Sequence, residues 1–285
     1  MFKILLIALA MAGFAVDPVH AATRHSSKQR HSHSTKKIHG SKGGGHRHAR
    51  HHRAGKNQGP TVEQAPEEFF PSGHKFTPEE KAEASEIGAM VQNSMWKDAY
   101  RLATRDSKQH PERWWLQAAR AAAAANLNRP KDVLDAANAA LQKNQGDANP
   151  LNLAQLYTLR ANALNRLNRK SEALVDFQNA IKLTKTDPYS RAGAAWMYAT
   201  ANDASIRNGS LAVALATQGA KLTQWKDDTV LDVLAAAYAE AGDFNSAQKW
   251  EGKAILLGSQ QDVPFYQHRL LSYQSGKAWR ESSRQ

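Results

Sequence analysis

From Thr77 onward the chain alternates between stretches in which apolar residues recur every three or four positions and short polar breaks. That spacing puts the apolar side chains on one face of an α-helix. Leu231, Leu234, Ala235 and Tyr238 follow it, Gly242-Asp243 closes the stretch, and a second one opens at Phe244. "FTPEEK" reads as a helix start, with Thr77 as N-cap, Pro78 at the first helical position and Glu80 placed to close a capping box. Strict alternation and clusters of β-branched residues are scarce, and Pro111, Pro130, Pro150, Pro188 and Pro264 mark breaks. The pattern predicts an all-α fold.

The predicted helices come in pairs. A small residue recurs early in each second helix, at Ala99, Val133, Ala173, Ala212 and Ala247, with intervals of 34, 40, 39 and 35 residues. The unit that begins at Leu231 is the most regular: Leu231, Leu234, Ala235 and Tyr238, then Gly242, then Ala247 and Ala254, with Glu251 where a bulky residue is expected. Tyr157, Ala161, Leu164, Ala173, Phe177 and Ala180 repeat the order, with Arg160 in place of a leucine. The unit from Glu80 and the one around Tyr198 follow it less closely, and the unit from Trp114 to Leu141 is degenerate. "NDASIRNGS" reads as a loop insertion in which Asn208-Gly209 signals a turn.

This order of positions resembles the tetratricopeptide repeat (TPR), whose unit is 34 residues. Three segments resemble an exported bacterial subgroup more narrowly: Ala195-Trp196 with Ala199-Thr200, Arg207-Asn208-Gly209, and the Leu231–Phe244 helix and turn. The end, "FYQHRLLSYQSGKAWRE", resembles that subgroup's final helix, with Arg269, Leu270, Tyr273, Gly276, Lys277, Arg280 and Glu281 at the pattern's fixed places. The resemblance implies a TPR-type α-solenoid of about five helix pairs over 77–262, a capping helix over 263–279 covering the last pair through Leu270, Leu271 and Tyr273, and a disordered end at 280–285. It also implies a concave groove, lined by the first helix of each pair, that takes a protein or peptide partner. Groove-facing positions of the pattern fall on Thr158, Asn162, Asn165, Arg166, Tyr189, Trp196 and Asp232. The lysine, asparagine and arginine set of a chaperone-tail carboxylate clamp is not found.

Length and charge alter the picture at the N-terminus. Of 285 residues, the first 21 hold Lys3, an apolar run from Ile4 to Val16, and Val19-His20-Ala21. The run is too short for a hydrocarbon core of about 30 Å and predicts a signal peptide (1–21), hence a periplasmic or secreted chain. The formal charge of +12 sits almost wholly in a tail, since 23–58 carries ten Lys/Arg and no Asp/Glu. Residues 22–76 therefore read as a disordered tail and Pro-containing linker. The pairs His31/His33, His46/His48 and His51/His52 could offer imidazoles to copper, nickel or zinc. The same tail could contact polyanions or envelope surfaces, gain charge in mild acid, or serve as a solvated tether. Residues 23–58 have no Phe, Trp or Tyr, so sequence-specific nucleic-acid reading is not expected.

Catalytic constellations are lacking. The chain has no cysteine, no metalloprotease helix motif and no phosphate-binding glycine loop, and Asp227, Asp228 and Asp232 read as helix-start capping. The expectation is a non-enzymatic exported scaffold without a cofactor. The alternative is metal or polyanion binding by the tail.

Overall fold

Helix starts in this chain are written in short polar side chains and prolines. Thr77 Oγ1 accepts from Glu80 N at 3.2 Å, and Glu80 Oε2 accepts from Thr77 N at 2.8 Å, so the capping box forms as expected. Asn149, Asp187, Asn208, Asp227 and Asp243 each cap a helix through a side-chain oxygen. Pro130, Pro150 and Pro188 open helices, because a first-turn N–H has no intrahelical partner to lose.

A computed structural model describes residues 76–281 apart from 145 and 147. The expected signal peptide, the basic tail with its histidines and residues 282–285 lie outside the described residues. Among the described residues there are eleven helices and no strand. They are α1 (Pro78–Gln92), α2 (Trp96–Gln109), α3 (Trp114–Asn126), α4 (Pro130–Lys143), α5 (Pro150–Arg166), α6 (Lys170–Leu183), α7 (Pro188–Thr200), α8 (Gly209–Leu222), α9 (Asp228–Glu240), α10 (Phe244–Leu257) and α11 (Val263–Gln274).

Each odd helix up to α9 packs on its successor, each even helix packs on the next odd one, and α3, α5, α7 and α9 touch in series. This is an α-solenoid of five helix pairs closed by α11. The second helices begin at Trp96, Pro130, Lys170, Gly209 and Phe244, which reproduces the intervals 34, 40, 39 and 35. In each, the fourth residue is the small one (Ala99, Val133, Ala173, Ala212 or Ala247), and all five are buried. The alanines of α9 are buried for the same reason: small side chains let two helix axes approach closely on both faces.

Four of the five pairs share one turn. Three residues join the helices, and the middle one, Ser94, Asn128, Asn168 or Gly242, has a positive φ between 56° and 85°. The next residue's N–H bonds back to the carbonyl five positions earlier, as in Asp243 to Tyr238 at 2.9 Å. Gly242 announces this turn most plainly in sequence; Asn128 and Asn168 are residues that tolerate the left-handed region, and Ser94 gives no such signal.

The fourth pair departs from it. Asn208 is the N-cap of α8, its Oδ1 accepting from Leu211 N at 3.0 Å, so Asn208-Gly209 is a helix entry and not the expected turn. Gly209 is required by close approach: a Cβ there would lie 2.7 Å from Ala241 N and 2.9 Å from Glu240 C. Both are backbone atoms that cannot swing aside. Gly209→Ala should therefore cost about 1–3 kcal/mol despite the better helix propensity of alanine. A lower urea midpoint at unchanged slope would show it; an unchanged midpoint would mean that α8 and α9 can part freely.

The end of the chain also differs from expectation. Helix α11 stops at Gln274, and Gly276 takes a φ of 67° before the chain extends. The capping face is Tyr266, Arg269 and Tyr273, with Leu270 half-buried, while Leu271 is 62% exposed. Residues 266, 269, 270 and 273 share a helical face, and 271 points about 100° away from 270.

Candidate partner-binding site

The surface that receives the end of the chain is built from the C-terminal halves of α5, α7 and α9. Asn165 lies in the last turn of α5, Trp196 in the second half of α7, and Glu240 ends α9. Lys170 joins them because α6 begins four residues after α5 ends. The segment after α11 crosses this surface.

Its contacts are specific. Glu281 Oε1 accepts from Trp196 Nε1 at 2.6 Å and from Asn165 Nδ2 at 3.3 Å. Glu281 Oε2 accepts from Lys170 Nζ at 2.9 Å, and Glu281 N donates to the Thr200 carbonyl at 3.0 Å. One residue earlier, Arg280 pairs with Glu240 Oε2 at 2.6 Å and donates to the Ala199 carbonyl at 3.3 Å. Glu240 is already held by Arg207 Nε at 3.1 Å. Beside the Glu281 carboxylate, a cavity of about 710 Å³ opens among Arg166, Asn168, Ser171, Asn202 and Asp203, with Trp279 on its wall.

Deeper, α11 is tied down by buried charge. Arg269 donates to Asp232 through Nε at 2.6 Å and Nη2 at 3.0 Å, and its Nε lies 3.6 Å from Glu251 Oε1. The guanidinium also stands 5.4 Å from the Trp196 and Tyr266 ring centres. Glu251 is fully buried, and neither carboxyl oxygen has a hydrogen-bond partner of good geometry. Burial, and then the Asp232 carboxylate, pushes Glu251 up to about 11. Burial also raises Asp232, with Arg269 opposing. Glu251 thus keeps its proton at neutral pH, and the Arg269 fork is held by Asp232. Tyr266 donates to Asp228 Oδ2 at 3.1 Å.

The expected groove residues separate into three groups. Asn165 and Trp196 converge on Glu281, and Asp232 is spent on Arg269 rather than on capping. Thr158 is 1% exposed, donates to the Ala154 carbonyl at 2.9 Å, and lies 3.3 Å from Asp187, so it packs between helices and is closed to a partner. Tyr189 is likewise committed: its hydroxyl donates to Asp227 Oδ2 at 3.0 Å, and burial followed by that carboxylate drives the phenol far above its ordinary range. Asn162 is half-buried, and Arg166 is exposed on the cavity.

Two irregularities in the repeat pattern also find causes. Arg160, in place of a leucine, forms a two-pronged pair with Asp176 at 2.7 Å and reaches Asn138 of α4 at 2.9 Å. Glu251, in place of a bulky residue, belongs to the Arg269 cluster. Sequence reasoning missed Lys170, Arg280 and Glu281 as contact residues. The terminal pattern held Arg280 and Glu281 but gave no sign of where they land.

No group of three or more His, Asp or Glu side chains that could hold a metal occurs among the described residues. His268 packs edge-on against Trp279 at 5.2 Å. The candidate metal ligands His31, His33, His46, His48, His51 and His52 lie outside the described residues.

No protein-family model matches the chain, and no curated protein matches it. Among solved structures it is similar to the C-terminal part of a TPR repeat-containing protein from Cytophaga hutchinsonii, at 15% identity over 67% of this chain and 70% of that one, with a TM-score of 0.46. The helix-pair repeat is established by this chain's own packing and turn geometry.

Proposed function

We propose that the solenoid is a non-enzymatic scaffold of TPR type that binds a protein or peptide partner on the side lined by α5, α7 and α9. One observation carries the reading. On that side the surface has donors and acceptors fixed at helix ends, already holds one extended stretch of polypeptide, and keeps an open polar cavity beside it. Main-chain bonding with side chains seated in pockets is how folded surfaces hold extended peptides. The N-terminal apolar run and Val19-His20-Ala21 support an exported, periplasmic or secreted setting for this activity. Among the described residues no helix is long and apolar enough to cross a membrane.

Pull-downs from an envelope extract should compare the mature chain, a chain starting at Lys75, and that shorter chain with Asn165→Ala and Arg166→Ala. The shorter chain should retain the partner, and the double variant should lose most of it. Retention by the isolated tail alone would sink the scaffold reading. It would favour the second one, metal or polyanion binding by the eight histidines and ten Lys/Arg between 23 and 58. In that case titration of the tail with Cu²⁺ or Zn²⁺, and the salt dependence of its retention on an anionic resin, would tell the two ligand types apart.

A further inference from the structure

The segment Trp279–Glu281 raises a question that a plain capping role leaves open. A cap has to cover apolar surface, and Tyr266 and Tyr273 of α11 do so, with Trp279 packed beside Tyr273. Residues 280 and 281 instead bring charged side chains to polar partners on four other helices. Their partners lie about 40 to 116 positions away in sequence, on α5, α6, α7 and α9. The segment follows Gly276, which ends the helix and leaves the last residues attached through an extended stretch. Its side chains are half-buried, and a cavity of about 710 Å³ opens alongside, lined in part by Trp279 and Glu281.

We infer that Trp279–Glu281 occupies in cis the docking site of an extended peptide partner that presents an acidic side chain to Trp196, Asn165 and Lys170, with a basic neighbour for Glu240. This rests on the scaffold reading above and names the partner's chemistry. The cradle supplies three donors and no acceptor to the carboxylate: an indole N–H, an amide and an ammonium. Such a set holds a carboxylate and leaves a neutral amide with an N–H facing donors. The Thr200 carbonyl takes the main-chain N–H of the same residue, which fixes the backbone whatever the sequence. Glu240, held in place by Arg207, selects arginine or lysine one position earlier. A partner must then displace the chain's own residues, so its apparent affinity is reduced by the fraction of chains whose site is closed.

The experiment uses the full mature chain and a fluorescein-labelled peptide, Gly-Lys-Ala-Trp-Arg-Glu with an amidated end, followed by anisotropy. Wild type should bind weakly, because the cis segment competes. The Arg280→Ala/Glu281→Ala variant should bind at least roughly tenfold more tightly, the scale of one charge-assisted contact freed for use. Replacing the peptide's glutamate by glutamine, or adding Lys170→Ala to the opened chain, should reverse that gain. If the opened chain lost its helical circular dichroism, Glu281→Gln, which keeps the shape and removes the charge, would carry the same comparison. Equal weak binding by wild type and opened chain would overturn the inference, since the segment would then be a fixed part of the fold. Binding indifferent to the peptide's carboxylate would overturn it too. A wild-type dimer abolished by Glu281→Gln would make a second copy the occupant and end the cis assignment. If the peptide fails but the chain starting at Lys75 still retains its partner, this inference falls and the scaffold reading stands.

Discussion

Arg269→Ala is expected to cost about 3–5 kcal/mol of folding stability, because it leaves the Asp232 carboxylate buried without its counter-ion. Neither partner is free to rehydrate cheaply: Asp232 is 5% exposed and Arg269 9%. The same change removes the cation from the faces of Trp196 and Tyr266, so α11 loses its tie to α7 as well as to α9. Urea unfolding followed by circular dichroism gives the stability, and tryptophan fluorescence reports release of the Trp196 face. The paired variant Arg269→Met/Asp232→Asn removes both charges and should recover most of the loss, since what is costly is a buried charge without a partner. A loss below about 1 kcal/mol for Arg269→Ala would show that the cluster is open to water and does not hold the cap.

The second large effect is a pH dependence centred on Glu251. The folded chain keeps this proton up to about pH 11, whereas the ordinary value is 4.5. Between those two limits unfolding releases a proton, so rising pH favours the unfolded chain by up to roughly 1.4 kcal/mol per unit from this one group. The contribution to stability is fullest below 4.5 and is lost progressively as pH climbs toward 11. Asp232, raised in the same direction, adds to the trend. Glu251→Gln keeps the shape and abolishes the titration. On that slope it should raise stability by up to roughly 5 kcal/mol at pH 8, with the gain shrinking to nothing near pH 4. Parallel stability–pH curves for wild type and variant would mean that Glu251 titrates alike in both states and that its burial carries no such penalty.

Both effects arise where the repeat pattern is irregular. In α10 the place of a bulky apolar residue holds Glu251, and nothing in the local sequence says whether that marks a surface position or a buried charge. The answer depends on Arg269, 18 residues later and on another helix. Arg160 poses the same problem, and its answer, Asp176, lies 16 positions away across the pair turn. Helical periodicity fixes which face a residue occupies, but not what the opposing helix brings to it.

Helix existence, pairing, the Thr77 cap and the intervals between pairs were legible because each depends on residues a few positions apart. The Thr77–Glu80 box, the prolines that mark helix boundaries and the small residue early in the second helices are all local rules. The left-handed turn at Ser94 was hidden, because packing of the two flanking helices imposes a conformation that serine does not advertise, and Asn128 and Asn168, which tolerate that region, are a weaker signal than glycine. Thr158 read as groove-facing by its place in the pattern, yet it is buried, since the start of α7 covers it through Asp187.

The sequence by itself determined an all-helical repeat of five pairs and the text of three separate motifs: Ala195-Trp196 with Ala199-Thr200, Arg207-Asn208-Gly209, and the terminal Arg280-Glu281. Only the tertiary structure decided that these meet at one place, with Glu281 on Trp196 and Thr200, Arg280 on Glu240, and Arg207 on that same Glu240. The reason is that local rules act within a turn or two of helix, while the stacking of successive pairs brings together residues up to 116 positions apart. Which charges neutralise one another there is settled by that stacking and by the burial it imposes.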